Sequence, residues 1–117
     1  MKAATEATTL PARVAADLDK LEKSARQAAI LLKSMANAHR LKILCQLAEG
    51  EKSVGEMESV IGLSQSGLSQ HLAVLRRKRI VATRREAQSI FYSLASKEVE
   101  EIMASLYRIF CATVSRK

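Results

Sequence analysis

Tryptophan is absent from this 117-residue chain, and only Phe91, Tyr92, Tyr107 and Phe110 are aromatic. A core of stacked rings is therefore excluded, and Leu, Ile, Val, Ala and Met must fill it. Proline occurs once and glycine four times, too few for the many turns of a β-sandwich. The longest strictly apolar run is residues 28–32, far short of the ~18–20 that a membrane span needs. Residues 1–13 carry Lys2, Glu6, three threonines and the single proline, with no apolar signal core. The expected location is cytoplasmic, with no membrane partner. Cys45 and Cys111, the two cysteines, stand 66 positions apart. They make no disulfide framework, and cytoplasmic thiols are kept reduced.

What is present fits one globular domain of 12.9 kDa. Apolar residues are 48% of the chain, which excludes wholesale disorder. Nineteen Lys and Arg against twelve Asp and Glu leave a net charge of +7, and that excess calls for a polyanionic partner.

Residues 1–12 read as a flexible N-terminal arm, and 13–117 as the folded domain. Val14, Leu18, Leu21, Ala25, Ala28, Leu32 and Met35 recur at alternating steps of four and three, a heptad seam among charged neighbours. Such a helix either lies on its own domain or pairs with a second copy, and a homodimer is expected. Asn37 suits the cap of a second helix, central and apolar around most of its circumference, which Gly50 ends. Ser53-Val54-Gly55-Glu56 is a capping-box pattern opening a short third helix. Gly62 permits a tight turn, and Ser64 caps a fourth helix. Two helices joined at a short glycine-containing turn are a helix-turn-helix. The period then changes: residues 80–85 and 89–94 are β-favouring runs around the polar gap Glu86-Ala87-Gln88, a hairpin. Ser96 caps a last helix with an apolar face running from Val99 to Val114. The fold class is mainly α with a small β-hairpin.

The fourth helix separates into two faces. Leu68, Leu72 and Leu75 cluster on one side, with Ser66, Gln70, Ala73 and Arg77 opposite and Gln65, Ser69 and Arg76 on a flank. Amides and hydroxyls early, arginines late, suit base edges followed by phosphates. Positions 62–94 hold six Lys/Arg and one acidic residue, Glu86, so +5 of the net charge lies there. Arg84 and Arg85 in the hairpin are expected to grip adjacent backbone, so double-stranded DNA is the expected partner. His71, beside the leucine face, is expected to be a hydrogen-bonded structural histidine.

Arg40-Leu41-Lys42-Ile43-Leu44 and Ser64-Gln65-Ser66-Gly67-Leu68-Ser69-Gln70-His71-Leu72-Ala73-Val74-Leu75, in this order of elements, resemble the ArsR/SmtB family of bacterial repressors. The resemblance covers about residues 14–114. It implies a winged helix-turn-helix that forms a homodimer through its first and last helices, with recognition helices entering the major grooves of an inverted repeat. Where the family often has His-Pro before the second helix's arginine, this chain has Asn37-Ala38-His39, and Asn37 supplies a cap.

Many members of that family sense metals through a Cys-x-Cys before the recognition helix, or through Asp and His on the last helix. Residues 53–60 hold neither Cys nor His, and the last helix holds no His, so no metal and no other cofactor is expected. The cysteines have two readings. In one, both are space-fillers, as buried thiols often are. Alternatively each is activated by a base one turn earlier, Lys42 for Cys45 and Arg108 for Cys111, because a cation favours thiolate. The segments at 44–56, Ile90-Phe91-Tyr92 and Leu106-Tyr107-Arg108-Ile109-Phe110-Cys111 are similar to the persulfide-responsive, BigR- and SqrR-like branch. That resemblance implies redox sensing at Cys45 and Cys111, with reactive sulfur species as the inducer. Linking the two thiols would release operator DNA and express sulfide-detoxification genes. A polysulfide link tolerates a wider gap than a direct disulfide, whose Cα atoms must lie within about 7 Å. The reduced thiols are therefore expected beyond disulfide distance. A general thiol-redox repressor and a metal-sensing one are the alternatives. An oxidoreductase lacks its Cys-x-x-Cys and βαβ signals, so no catalytic residue is expected; a pure interaction module would leave the basic face unused.

Overall fold

The computed structural model describes residues 17–111. The expected arm at 1–12, together with Val14 and Val114, lies outside the described residues. Two compact units, Met1–Lys33 and Ser34–Lys117, divide within the first helix.

That helix, α1 (Leu18–Met35), carries Asp19 in its first turn and Lys33 in its last, each matched to the dipole. Asp17 Oδ1 accepts from Lys20 N at 3.1 Å, and Glu22 pairs with Arg26 one turn on at 3.2 Å. Leu18 and Leu32 of the predicted seam are 72% and 52% exposed.

The second unit contains α2 (Ala38–Glu49), β1 (Lys52–Ser53), α3 (Val54–Ile61), α4 (Gln65–Arg77), β2 (Val81–Glu86), β3 (Ser89–Leu94) and α5 (Lys97–Leu106). Its helices begin where the sequence places caps. Asn37 Oδ1 accepts from His39 N and Arg40 N at 2.9 and 3.1 Å. Ser53 and Glu56 bond reciprocally as a capping box, and Ser64 and Ser96 receive Gly67 N and Val99 N. Each cap satisfies an orphan donor worth about 1 kcal/mol. Gly62, at φ 86°, makes the left-handed turn between α3 and α4.

The end of α4 uses an arginine where glycine is usual. Arg79 sits at φ 63°; its N–H reaches Arg76 O and that of Ile80 reaches Leu75 O, both at 2.9 Å. These two bonds form a Schellman motif, which turns the chain abruptly into β2.

The sheet is larger than the hairpin the sequence predicts. β2 and β3 pair antiparallel from Val81↔Leu94 to Glu86↔Ser89, so the turn is two residues, with Ala87 at φ 57°. β1 adds to the other edge of β3 through Lys52↔Tyr92 and Ser53↔Phe91. Two residues carry no periodicity, which is why β1 escapes sequence reading.

As expected, α2 is central, touching α3, α4, α5 and β3. Ile43 and Leu44 from α2, Met57 from α3 and Leu68, Leu72 and Leu75 from α4 are fully buried. Each contributes about 1.5–3 kcal/mol of burial. Arg40 adds a polar tie: Nη1 donates to Ser34 O at 3.0 Å and Nε to His71 Nδ1 at 3.2 Å. Replacing Arg40 by Ala should cost about 1–3 kcal/mol in urea unfolding, because His71 Nδ1 and Ser34 O lose a charged donor.

One continuous last helix through Val114 is not what the described residues form. α5 stops at Leu106 and passes into a π-helical turn, Tyr107–Cys111. Tyr, Ile and Phe propagate an α-helix poorly, and the Tyr107 N–H is shared between Ala104 O and Met103 O.

Candidate nucleic-acid interface and thiol site

The two faces of α4 separate as the periodicity requires. Leu68, Leu72 and Leu75 have 0% exposure, whereas Gln65, Ser66, Ser69, Gln70, Ala73, Arg76 and Arg77 are all exposed. Gly67 keeps the cap open, since a Cβ there would sit 3.3 Å from Ser64 Oγ. Ser69, Ala73, Arg76 and Arg77 also line a shallow groove with Tyr92 of β3. Tyr92 of the sheet thus adjoins the basic end of α4.

The two hairpin arginines differ. Arg85 is exposed and makes no ion pair among the described residues. Arg84 is committed within the protein: Nε and Nη2 donate to the two carboxylate oxygens of Glu51, and Nη1 to Glu86 Oε1, all at 2.8 Å. Its guanidinium also stacks over Phe91, 4.9 Å from the ring centre. Arg84, expected to grip DNA, also joins the hairpin to the loop after α2. Hydrogen bonds from Arg84 hold the Glu51 carboxyl below the usual carboxylate range.

His71 is hydrogen-bonded, as expected, and its ring lies 5.7 Å from that of His39. Burial, then the charges of Arg40 and His39, lower its pKa. The depressed value keeps His71 neutral at pH 7. Its contribution to stability is whole above its ordinary value and lost as pH falls through the folded one.

Both cysteines are free and half-buried. The activation predicted from Lys42 does not hold for Cys45. Burial, the charge of Cys111 and the charge of Glu49 push its thiol above its ordinary pKa. Glu49 lies one turn beyond Cys45, and Lys42 is exposed to solvent. Arg108 donates to Ser105 Oγ at 3.3 Å, and a π turn replaces the α geometry assumed by its spacing to Cys111. The important fact is that the charge of Cys111 reaches Cys45 at all. Cys111→Ser should therefore lower the Cys45 pKa, seen as faster iodoacetamide alkylation at pH 8 and a pH–rate curve displaced to lower pH. Glu49→Gln should move the curve the same way.

Among the described residues no three His, Cys, Asp or Glu gather where they could hold a metal. No described helix is long and apolar enough to cross a membrane. Sequence reading missed three partners: Glu51 for Arg84, Arg40 for His71, and Tyr92 beside the basic face. It also missed a cavity of about 620 Å3 that Cys45 lines with residues of β3 and α5. Their signals are non-local, with 33 positions separating Glu51 from Arg84.

A helix-turn-helix whose second helix exposes amides, hydroxyls and arginines, followed by a basic antiparallel wing, defines a winged helix-turn-helix transcriptional regulator, not an enzyme. The chain belongs to the arsR family of bacterial regulatory proteins, whose family model matches residues 37–83. It is 53% identical over 95 residues to the transcriptional activator HlyU of Vibrio cholerae, spanning 81% of this chain and 88% of that one. The reduced HlyU structure superposes with a TM-score of 0.77 at 53% identity, covering 79% and 97% of the two chains. The biofilm growth-associated repressor of Agrobacterium fabrum is 50% identical over 95 residues, 81% of each chain. The repressor BigR of Xylella fastidiosa superposes with a TM-score of 0.76 at 45% identity, covering 83% and 96%.

Proposed function

We propose that this chain is a cytoplasmic, homodimeric repressor that binds an inverted-repeat operator and releases it when reactive sulfur links Cys45 to Cys111. What supports the switch is that Cys45 and Cys111, 66 positions apart, are both free and half-buried, with Cys111 among the causes that raise the Cys45 thiol. Repression is taken from the Agrobacterium and Xylella relatives. Leu18, Ile30 and Leu32 of α1, and Tyr107, Ile109 and Phe110 of the π turn, are exposed apolar residues in the single chain. A second copy is the natural cover for them.

Gln65, Ser66, Ser69, Gln70 and Ala73 read base edges, and Arg76, Arg77 and Arg85 anchor phosphates. Arg84 positions the wing. A sulfane-sulfur donor R–S–SH transfers its terminal sulfur to each thiolate, giving two Cys–S–SH groups and two RS⁻. The Cys45 persulfide anion then attacks Cys111 Sγ and expels HS⁻, leaving Cys45–S–S–S–Cys111. An inserted sulfur spans a wider gap than a direct disulfide can. The link joins α2 to the turn after α5 and biases how the dimer presents its recognition helices to half-sites about 34–36 Å apart.

DNA binding is tested on a palindromic duplex by salt titration. Arg77→Ala should weaken binding about tenfold and reduce the salt slope by about one. Glu22→Ala, on exposed α1, should leave both unchanged; equal effects from the two variants would remove α4 from the interface.

A further inference from the structure

Cys45 opens into a cavity of about 620 Å3 enclosed by α2, the loop after it, β3 and α5. Its volume lies in the range of small-molecule sites, about 300–1,000 Å3. Leu47, Leu94 and Met103 supply apolar wall, while Glu49, Glu51 and Glu100 are the charged residues lining it. Among the described residues no Lys, Arg or His lines it. Two of these carboxylates are ion-paired, Glu49 with Lys52 at 3.4 Å and Glu51 with Arg84 at 2.8 Å. Glu100 makes no ion pair among the described residues and stands exposed on α5. Lys42, the base nearest Cys45 in sequence, is exposed and does not line the cavity.

We infer that this cavity is the entry site for the sulfur donor, and that it selects small neutral or cationic alkyl persulfides over anionic ones. The inference rests on the thiol-switch reading above and adds the donor's chemical class. The apolar wall accepts an alkyl body, and Glu100, which no cation offsets among the described residues, repels a carboxylate as it approaches the sulfur. Negative charge is felt at the reacting atom itself, since Cys111 and Glu49 both raise the Cys45 thiol. The first step in the cavity is Cys45–S⁻ + R–S–SH → Cys45–S–SH + RS⁻. The sulfane S–S bond breaks, its terminal sulfur passes to Cys45, and the electron pair leaves with RS⁻. A cationic R is attracted to the rim, and an anionic R is driven from it.

The test uses the full reduced chain with cysteamine persulfide and glutathione persulfide, one cationic and one anionic. Mass spectrometry follows growth of the linked species, and each rate is divided by that donor's rate with a short free-thiol peptide. Cysteamine persulfide is expected to be about tenfold faster, the low end of the gain from a one-sign, low-dielectric cleft. Glu100→Gln should narrow the ratio, and so should salt near about 1 M, where the Debye length is about 3 Å. Equal normalised rates, or a faster glutathione persulfide, would overturn the charge selection while leaving the switch standing. Failure of both donors to link Cys45 with Cys111 would overturn the switch, and the selection with it.

Discussion

Cys45→Ser and Cys111→Ser proteins are expected to bind operator within about twofold of wild type when reduced, and to ignore polysulfide. The first half follows from the environment of the side chains. Both thiols are half-buried and make no disulfide, so oxygen for sulfur removes no core volume, and such changes usually stay within about 0.5 kcal/mol. The second half follows from stoichiometry, since a link needs two sulfurs. Wild-type protein should lose about 5- to 150-fold in affinity on linking, the range of a coupling of about 1–3 kcal/mol. Each variant should lose none. Anisotropy titrations of the three proteins, with and without inorganic polysulfide, read both halves at once. A reduced variant that no longer binds DNA would make that cysteine structural.

Leu72→Ala should produce the largest loss of stability among single changes in α4. Leu72 is fully buried between neighbours on the leucine face, and emptying such a site costs about 2–5 kcal/mol. For a domain of this size the thermal midpoint should drop by about 10 °C or more, followed by circular dichroism. DNA binding should fall too, because the same helix holds Ser69, Gln70 and Ala73 in register. The comparison that separates folding from contact is Gln70→Ala. Its side chain is exposed, so stability should hold within about 0.5 kcal/mol while discrimination against altered operator bases drops. An unchanged melting point for Leu72→Ala would contradict the packing described for α4.

Much of this architecture was legible because local chemistry and tertiary packing agree. Asn37, Ser53, Ser64 and Ser96 cap the helices they precede. The three-four spacing of Leu68, Leu72 and Leu75 marks the buried side of α4 because a helix of period 3.6 must turn those positions inward. What escaped is what depends on distant residues. β1 exists because Lys52 and Ser53 meet Tyr92 and Phe91 across the sheet. Charge alone places Arg84 on the DNA face and says nothing of its pairing with Glu51. Helical spacing assigns Lys42 to Cys45, yet burial and two negative charges set that thiol. The π turn at Tyr107–Cys111 is invisible to any argument that assumes α geometry to the end.

The most direct measurement is the dissociation constant for DNA from immediately upstream of the chain's own coding sequence, taken with reduced, polysulfide-treated and peroxide-treated protein. Mass spectrometry on the same samples reports whether Cys45 and Cys111 are joined, and by how many sulfurs. The polysulfide-linked form should have lost affinity, with peroxide at matched exposure forming the link poorly and leaving the complex intact. Equal affinity for the linked and unlinked proteins would contradict the proposed switch.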